Sequence, residues 1–332
     1  MPGHLPRLLC LLALTLAATR ASAERLEPPS EALRSPYVSI AATEFVEQAA
    51  FGHVVFRRIE QLSGKERAPE LIDLIVPDTL RAQLKPGDRQ LIAWTSVTGD
   101  PRVPEGLRRD PAGARLLETT GLEPALFRDT RANRALLRWD LGESAWRQRR
   151  QLPRLLALLD SPEPAVQCFA MAEIALRPVL VAAIDEAARA HLRRFAADDR
   201  ASLSARALLL ELASQRADAL GVAGWDDVVQ GILDRAPLAT ATQPQTAHLV
   251  YQAFALAQSR GMLLQGERAE RWLRGDDAAL AEAALLALRR QGHDVEVAAL
   301  QRALARDDVP ATTAGFLRDH QRRLQRPPPA QR

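Results

Sequence analysis

Two hydrophobic periods divide the chain. Residues 53–59, 71–76 and 90–95 are short β-branched and aromatic runs bounded by Ser63-Gly64, Pro77-Asp78 and Lys85-Pro86-Gly87-Asp88. Runs of that length between turn residues predict strands. One more strand is expected over 115–119 and a short helix over 43–50. From Pro124 the period becomes helical. Leu152, Leu155, Leu156 and Leu159 sit at i, i+3, i+4 and i+7, one stripe of a helix. Asp160, Ser161, Pro162 and Pro164 break it, and Val166, Phe169, Ala170 and Ile174 carry the next helix.

That helix–acid turn–helix unit recurs. Leu192 and Phe195 precede Asp198-Asp199, with Leu203, Ala207 and Leu210 after them. Trp272-Leu273, Asp276-Asp277 and Leu280, Ala284, Leu288 repeat the outline, and a weaker copy surrounds Asp307-Asp308. A diverged copy over 228–257 turns near Asp234. The turn acids at 160, 199, 234, 276 and 307 recur every few tens of residues, the regime of stacked helical repeats. With leucines, an Asp turn and an Ala-rich second helix as carriers, residues 152–324 resemble HEAT-type repeats. The strand–turn layout around Leu84–Asp88 similarly resembles small OB-like β-barrel modules. Those resemblances imply binding surfaces rather than an activity. The expected fold is α+β by segregated domains: a small antiparallel β domain, barrel or sandwich, over 37–122, then an Arg-rich helical junction over 123–151, then the repeats. The helix over 179–197 is long for the pattern.

Composition changes this picture at the ends. Arg7, the apolar run 8–18 and Ala21-Ser22-Ala23 read as a secretory signal cleaved after residue 23, with Ala21 and Ala23 as the small cleavage-site residues. A periplasmic or secreted location follows as an expectation. A polar, Pro-containing lead is expected over 24–36, and a disordered tail over 325–332. Losing Arg7 and Arg20, with no acid, lowers the formal net charge from +3 to +1. A near-neutral chain argues against nucleic acid as partner. Outside the leader, Cys168 has no second cysteine to join, so the fold must rest on its core.

Candidate chemistry is sparse. Residues 128–154 hold eight arginines against Asp129, Asp140 and Glu143, with Trp139 and Trp146 interleaved. Arginine forks suit phosphates and carboxylates and stack on rings. Arg131, Arg134, Arg138, Arg147, Arg149 and Arg150 are therefore the candidate binding residues, for an anionic envelope polymer or a lipid. The competing reading is a solvated face bridging the domains. The Asp-Asp pairs suggest hard cations, but helix N-terminal capping accounts for them better. Phe56 and Trp94 are isolated and read as core. The histidines (53, 191, 248, 293, 320) lack ligand-spaced partners, Ser63-Gly64-Lys65-Glu66 is not a phosphate loop, and no G-x-S-x-G occurs. No cofactor, metal or catalytic residue is assigned. The expected role is non-enzymatic binding or scaffolding of a protein partner, with an anionic glycan or lipid module as the alternative, and a hydrolase or hydrolase inhibitor with an interdomain cleft as the third.

Overall fold

The computed structural model describes residues 27–49, 52–64, 68–76, 78–96, 114–122, 124–142 and 144–325. The expected signal segment, with Ala21 and Ala23, and the tail beyond Gln325 lie outside them. The chain is α+β with segregated parts: a β sheet followed by helices to the C-terminus.

Six strands form the sheet: β1 (Val38–Gln48), β2 (His53–Ser63), β3 (Leu71–Ile75), β4 (Arg89–Ser96), β5 (Ala114–Leu116) and β6 (Leu126–Arg128). β1 pairs with both β2 and β4, β3 joins β5, and β5 joins β4, so five strands close into a ring with β6 added on β4. Ring closure decides for a barrel over a sandwich, and it removes the exposed edges. Every pairing is antiparallel except β3–β5, which meets in parallel at Ile75 and Arg115. Phe45, Val54, Phe56, Ile72, Leu74, Ile92 and Trp94 fill the interior.

The helix expected over 43–50 is instead the second half of β1. Ala41 and Phe45 face the barrel interior, while Val38, Ile40 and Ala42 face the helices. The stretch Thr43–Gln48 keeps a strand's alternating burial, but its Glu and Gln residues favour helix by local propensity, which pairing with β2 and β4 overrides.

The polar lead is also more ordered than expected. Pro29–Ala32 forms a turn of helix, α1, in which Ser30 is buried, and Leu33 beyond it is buried too. A second short helix, α2 (Asp78–Arg81), links β3 to β4. β6 lies in the stretch expected to be helical junction, and α3 (Arg131–Leu137) follows it, capped by Thr130.

Five antiparallel helix pairs then stack. They are α4 (Ala145–Leu159) with α5 (Pro164–Leu176), α7 (Glu186–Ala197) with α8 (Leu203–Gln215), and α10 (Trp225–Arg235) with α11 (Pro244–Arg260). α12 (Gly266–Glu270), extended by a 3-10 turn to Arg274, pairs with α13 (Ala278–Arg289), and α14 (His293–Leu304) with α15 (Ala311–Leu324). The first helices contact one another in the order α4, α7, α10, α12, α14, and the second helices in the order α5, α8, α11, α13, α15. The result is a two-layer solenoid, in which each unit buries its apolar stripe against its neighbours. The long helix expected over 179–197 is two: α6 (Pro178–Val181) and α7, because the Asp185 side chain accepts the Ala188 N–H at 2.8 Å and starts a new helix. A last short helix, α9 (Ala217–Leu220), precedes α10.

The barrel is seated on α5. Gly121, at φ +82°, brings its turn so close that a Cβ would lie 2.3 Å from Ala172 Cβ and 3.0 Å from the Cys168 carbonyl. Glu173, fully buried, accepts the Ser30 N–H at 2.5 Å and pairs with Arg177 at 2.7 Å. Arg177 in turn reaches Ser30 Oγ at 3.0 Å and Glu31 at 2.8 Å. One apolar core runs from Val38, Leu91 and Phe127 through the helices to Leu317, so the two parts share it.

Candidate binding surfaces

The repeat-turn acids do something other than the capping expected of them. Only Asp277 caps its helix, accepting from Ala279 N at 2.8 Å and from Leu280 N. Asp198 and Asp308 stay within their own turns, accepting from the Arg200 N–H and pairing with Arg306 respectively, whereas four acids at or near the turns bind across repeats. Asp160 meets His191 at 3.2 Å, Asp199 meets Arg235 at 2.6 Å, Asp234 meets Arg268 at 2.9 Å, and Glu270 meets Arg302 at 2.6 Å. Each joins the C-terminal end of one first-layer helix to the next first-layer helix. Asp276 accepts the backbone N–H groups of Thr240 and Ala241 at 2.7 and 3.0 Å. Arginines add backbone contacts of the same kind. Arg271 donates to the carbonyls of Leu233, Asp234 and Ala236 at the end of α10, and Arg260 to those of Ala213 and Gly221. Cations belong at helix C-termini, where carbonyls lack partners. Among the described residues no group of three His, Cys, Asp or Glu side chains is placed to hold a metal ion.

The arginines of the junction divide into two sets. Arg134 is consumed: it grips Asp129 through Nε and Nη2 at 2.5 and 2.8 Å and reaches Glu60 of β2 at 2.5 Å. Its hydrogen bond holds the Asp129 carboxyl below the usual carboxylate range, against the opposing effect of burial. Arg138 is exposed and stands 3.9 Å from the same Glu60. Arg131 points to solvent on the same helix. Arg134 therefore braces α3 to β2 of the barrel.

The second set lies on α4. Arg147, Arg149, Arg150 and Arg154 are all exposed, and among the described residues none has a carboxylate in ion-pair range. Arg150 stacks on Trp146 at 4.7 Å and Arg154 on Trp139 at 4.2 Å. Trp139 is buried, but Trp146 is 62% exposed. Asp140, the acid beside them among the described residues, is held by Arg34 at 2.7 Å and by the Gly142 N–H at 2.8 Å. Between Asp140, Trp146, Arg147 and Arg150 lies an open polar hollow of about 310 Å³.

Two further hollows bear on function. The interdomain cleft, about 520 Å³, lies between Leu80 and Leu126 of the β part and the starts of α5, α8 and α11. Among the described residues lining it, Cys168 alone ionises, and its Sγ lies 3.0 Å from Ser202 Oγ. Among the described residues it brings no acid–base pair together. A groove of about 430 Å³ runs between α11 and α13, with Phe254 as its floor and Tyr251 and Leu286 at its rim, 50% and 38% exposed. Sequence patterning passed over it, although Tyr251 is a large apolar side chain on the polar side of its helix. Phe56 and Trp94 are core, with Phe56 edge-on to Phe45 at 5.8 Å.

No family model, curated protein or solved structure matches this chain. No described helix is long and apolar enough to cross a membrane.

Proposed function

We propose that this chain is an exported, non-enzymatic scaffold of the cell envelope that binds a protein partner on its solenoid. The groove between α11 and α13 carries the reading. Solenoids present extended faces to partners, and here two large apolar side chains, Tyr251 and Leu286, stand exposed over a buried Phe254 floor. Gln258, Glu282 and Arg290 edge the groove. An apolar centre with a polar rim is the anatomy of a protein-binding patch. It suits an amphipathic helix laid along α11 and α13.

The test is a photo-crosslinking amino acid at position 251 or 286 in the full chain, in its native envelope, beside the Tyr251→Glu/Leu286→Glu variant. One discrete protein adduct at both positions, whose co-purification the variant abolishes, supports the reading. Absence of an adduct, or a partner retained in full by the variant, overturns it.

A further inference from the structure

Many arginines of this molecule are structural residues. Arg134, Arg177, Arg189, Arg193, Arg206, Arg235, Arg260, Arg271, Arg289 and Arg302 each hold a carboxylate or a backbone carbonyl of another segment or turn. Helix α4 departs from that economy. Its apolar side, Leu152, Leu155 and Leu159, is buried in the solenoid. Its outward side runs Trp146, Arg147, Arg150 and Arg154, spaced so that all four fall on one stripe. Among the described residues no carboxylate stands within ion-pair range of that stripe, and the Asp140 that borders it is held by Arg34.

We propose that this stripe is a docking face for an anionic phospholipid surface. Guanidinium groups fit phosphate oxygens through paired N–H donors. Three of them in a row on one helix match an array of headgroups rather than a single enclosed anion, and the hollow beside them is open. Trp146 adds the second element: an exposed indole is the side chain best suited to the boundary between headgroups and acyl chains. Arg150 stacked on its face delivers charge and ring to the same place. Because the apolar side of α4 is committed to the core, attachment is peripheral and electrostatic, with one indole inserted, and it weakens as salt rises. This face lies on a different layer from the Tyr251 groove and stands independently of the protein-binding reading.

The experiment is vesicle co-sedimentation of the full chain, comparing phosphatidylcholine vesicles with vesicles containing about a third phosphatidylglycerol. Wild type is compared with Arg147→Glu/Arg150→Glu, with Trp146→Ala, and with Arg322→Glu/Arg323→Glu on α15 as an equal change of net charge elsewhere. All carry the same N-terminus, so any contribution of the leader cancels. The expected result is binding to the anionic vesicles alone, at least tenfold weaker in the α4 charge-reversal variant, several-fold weaker in Trp146→Ala, and unaltered in the α15 control. Unchanged thermal midpoints show that these exposed positions leave the fold intact. Equal losses in both charge variants, or no preference for anionic vesicles, overturn the proposal. So does full displacement by millimolar inorganic phosphate, which marks a free-anion site, or retention on an acidic polysaccharide but not on vesicles.

Discussion

Arg235 places its Nε 2.6 Å from Asp199 one repeat earlier, and the same step recurs from His191 to Asp160, Arg268 to Asp234 and Arg302 to Glu270. The register of the solenoid is thus written in charge along one layer. Asp199 and Arg235 are both about half exposed, and exposed pairs contribute little to stability. Asp199 also accepts from the buried Arg206 at 3.4 Å, so the exposed pair is tested from its other side, and Arg235→Ala is expected to cost less than about 1 kcal/mol in chemical denaturation. The ladder fixes which repeat meets which more than it strengthens the stack.

Arg271 is a different case, since its guanidinium meets carbonyls at the end of α10 that have no helical partner. Arg271→Met leaves those acceptors unsatisfied and part-buried, so a loss of roughly 1–3 kcal/mol is expected. Comparing this variant with Arg235→Ala under the same denaturant separates the two roles; equal losses would refute the distinction.

Breaking the buried pair at the domain seam is expected to be costlier. Glu173→Ala strands Arg177 with only Glu31 and Ser30, and removing one partner of a buried pair costs about 3–5 kcal/mol. The Glu173→Leu/Arg177→Met double variant should recover a large part of that loss. Urea melts followed by far-ultraviolet dichroism measure both; a double variant no better than the single one would mean that Arg177 contributes independently.

Gly121→Ala tests the seat of the barrel on α5. The new Cβ meets Ala172 and the Cys168 carbonyl, and φ is positive. Strain of about 1–3 kcal/mol is expected, together with faster amide exchange in β4 and β6 if the barrel lifts from the helix. Wild-type stability in this variant would show that the seam is more pliant than the contact distances imply.

Acid should weaken the fold through Asp129 and Glu296. Arg134 lowers the Asp129 pKa; at Glu296 burial acts to raise it, but hydrogen bonds from Arg289 and His320 prevail and lower it. A carboxylate whose folded pKa is depressed stabilises the protein fully above its unfolded value, about 4, and the contribution is lost as pH falls through the folded value. The thermal midpoint should therefore drop below about pH 4. Arg134→Met should flatten that drop, and an unaltered slope would remove Asp129 as a contributor.

The sequence by itself determined the order of β part and helical repeats, because strand runs between turn residues and leucine stripes broken by acids are local patterns. It placed the five repeat turns within a few residues, since each needs an acid or proline where the helix stops. It also marked the arginines of 128–154, but it could not divide them: only folding brings Glu60 beside Arg134 and, among the described residues, leaves Arg147 and Arg150 with no carboxylate in ion-pair range. The second half of β1 carries glutamates and a glutamine that favour helix locally, and only its pairing with β2 and β4 makes it strand. The buried set of Ser30, Glu173 and Arg177 joins residues 143 and 147 positions apart, a distance over which no periodicity carries information. Tertiary structure alone decided which charges neutralise one another, since partners in a solenoid are chosen by stacking and not by sequence neighbourhood.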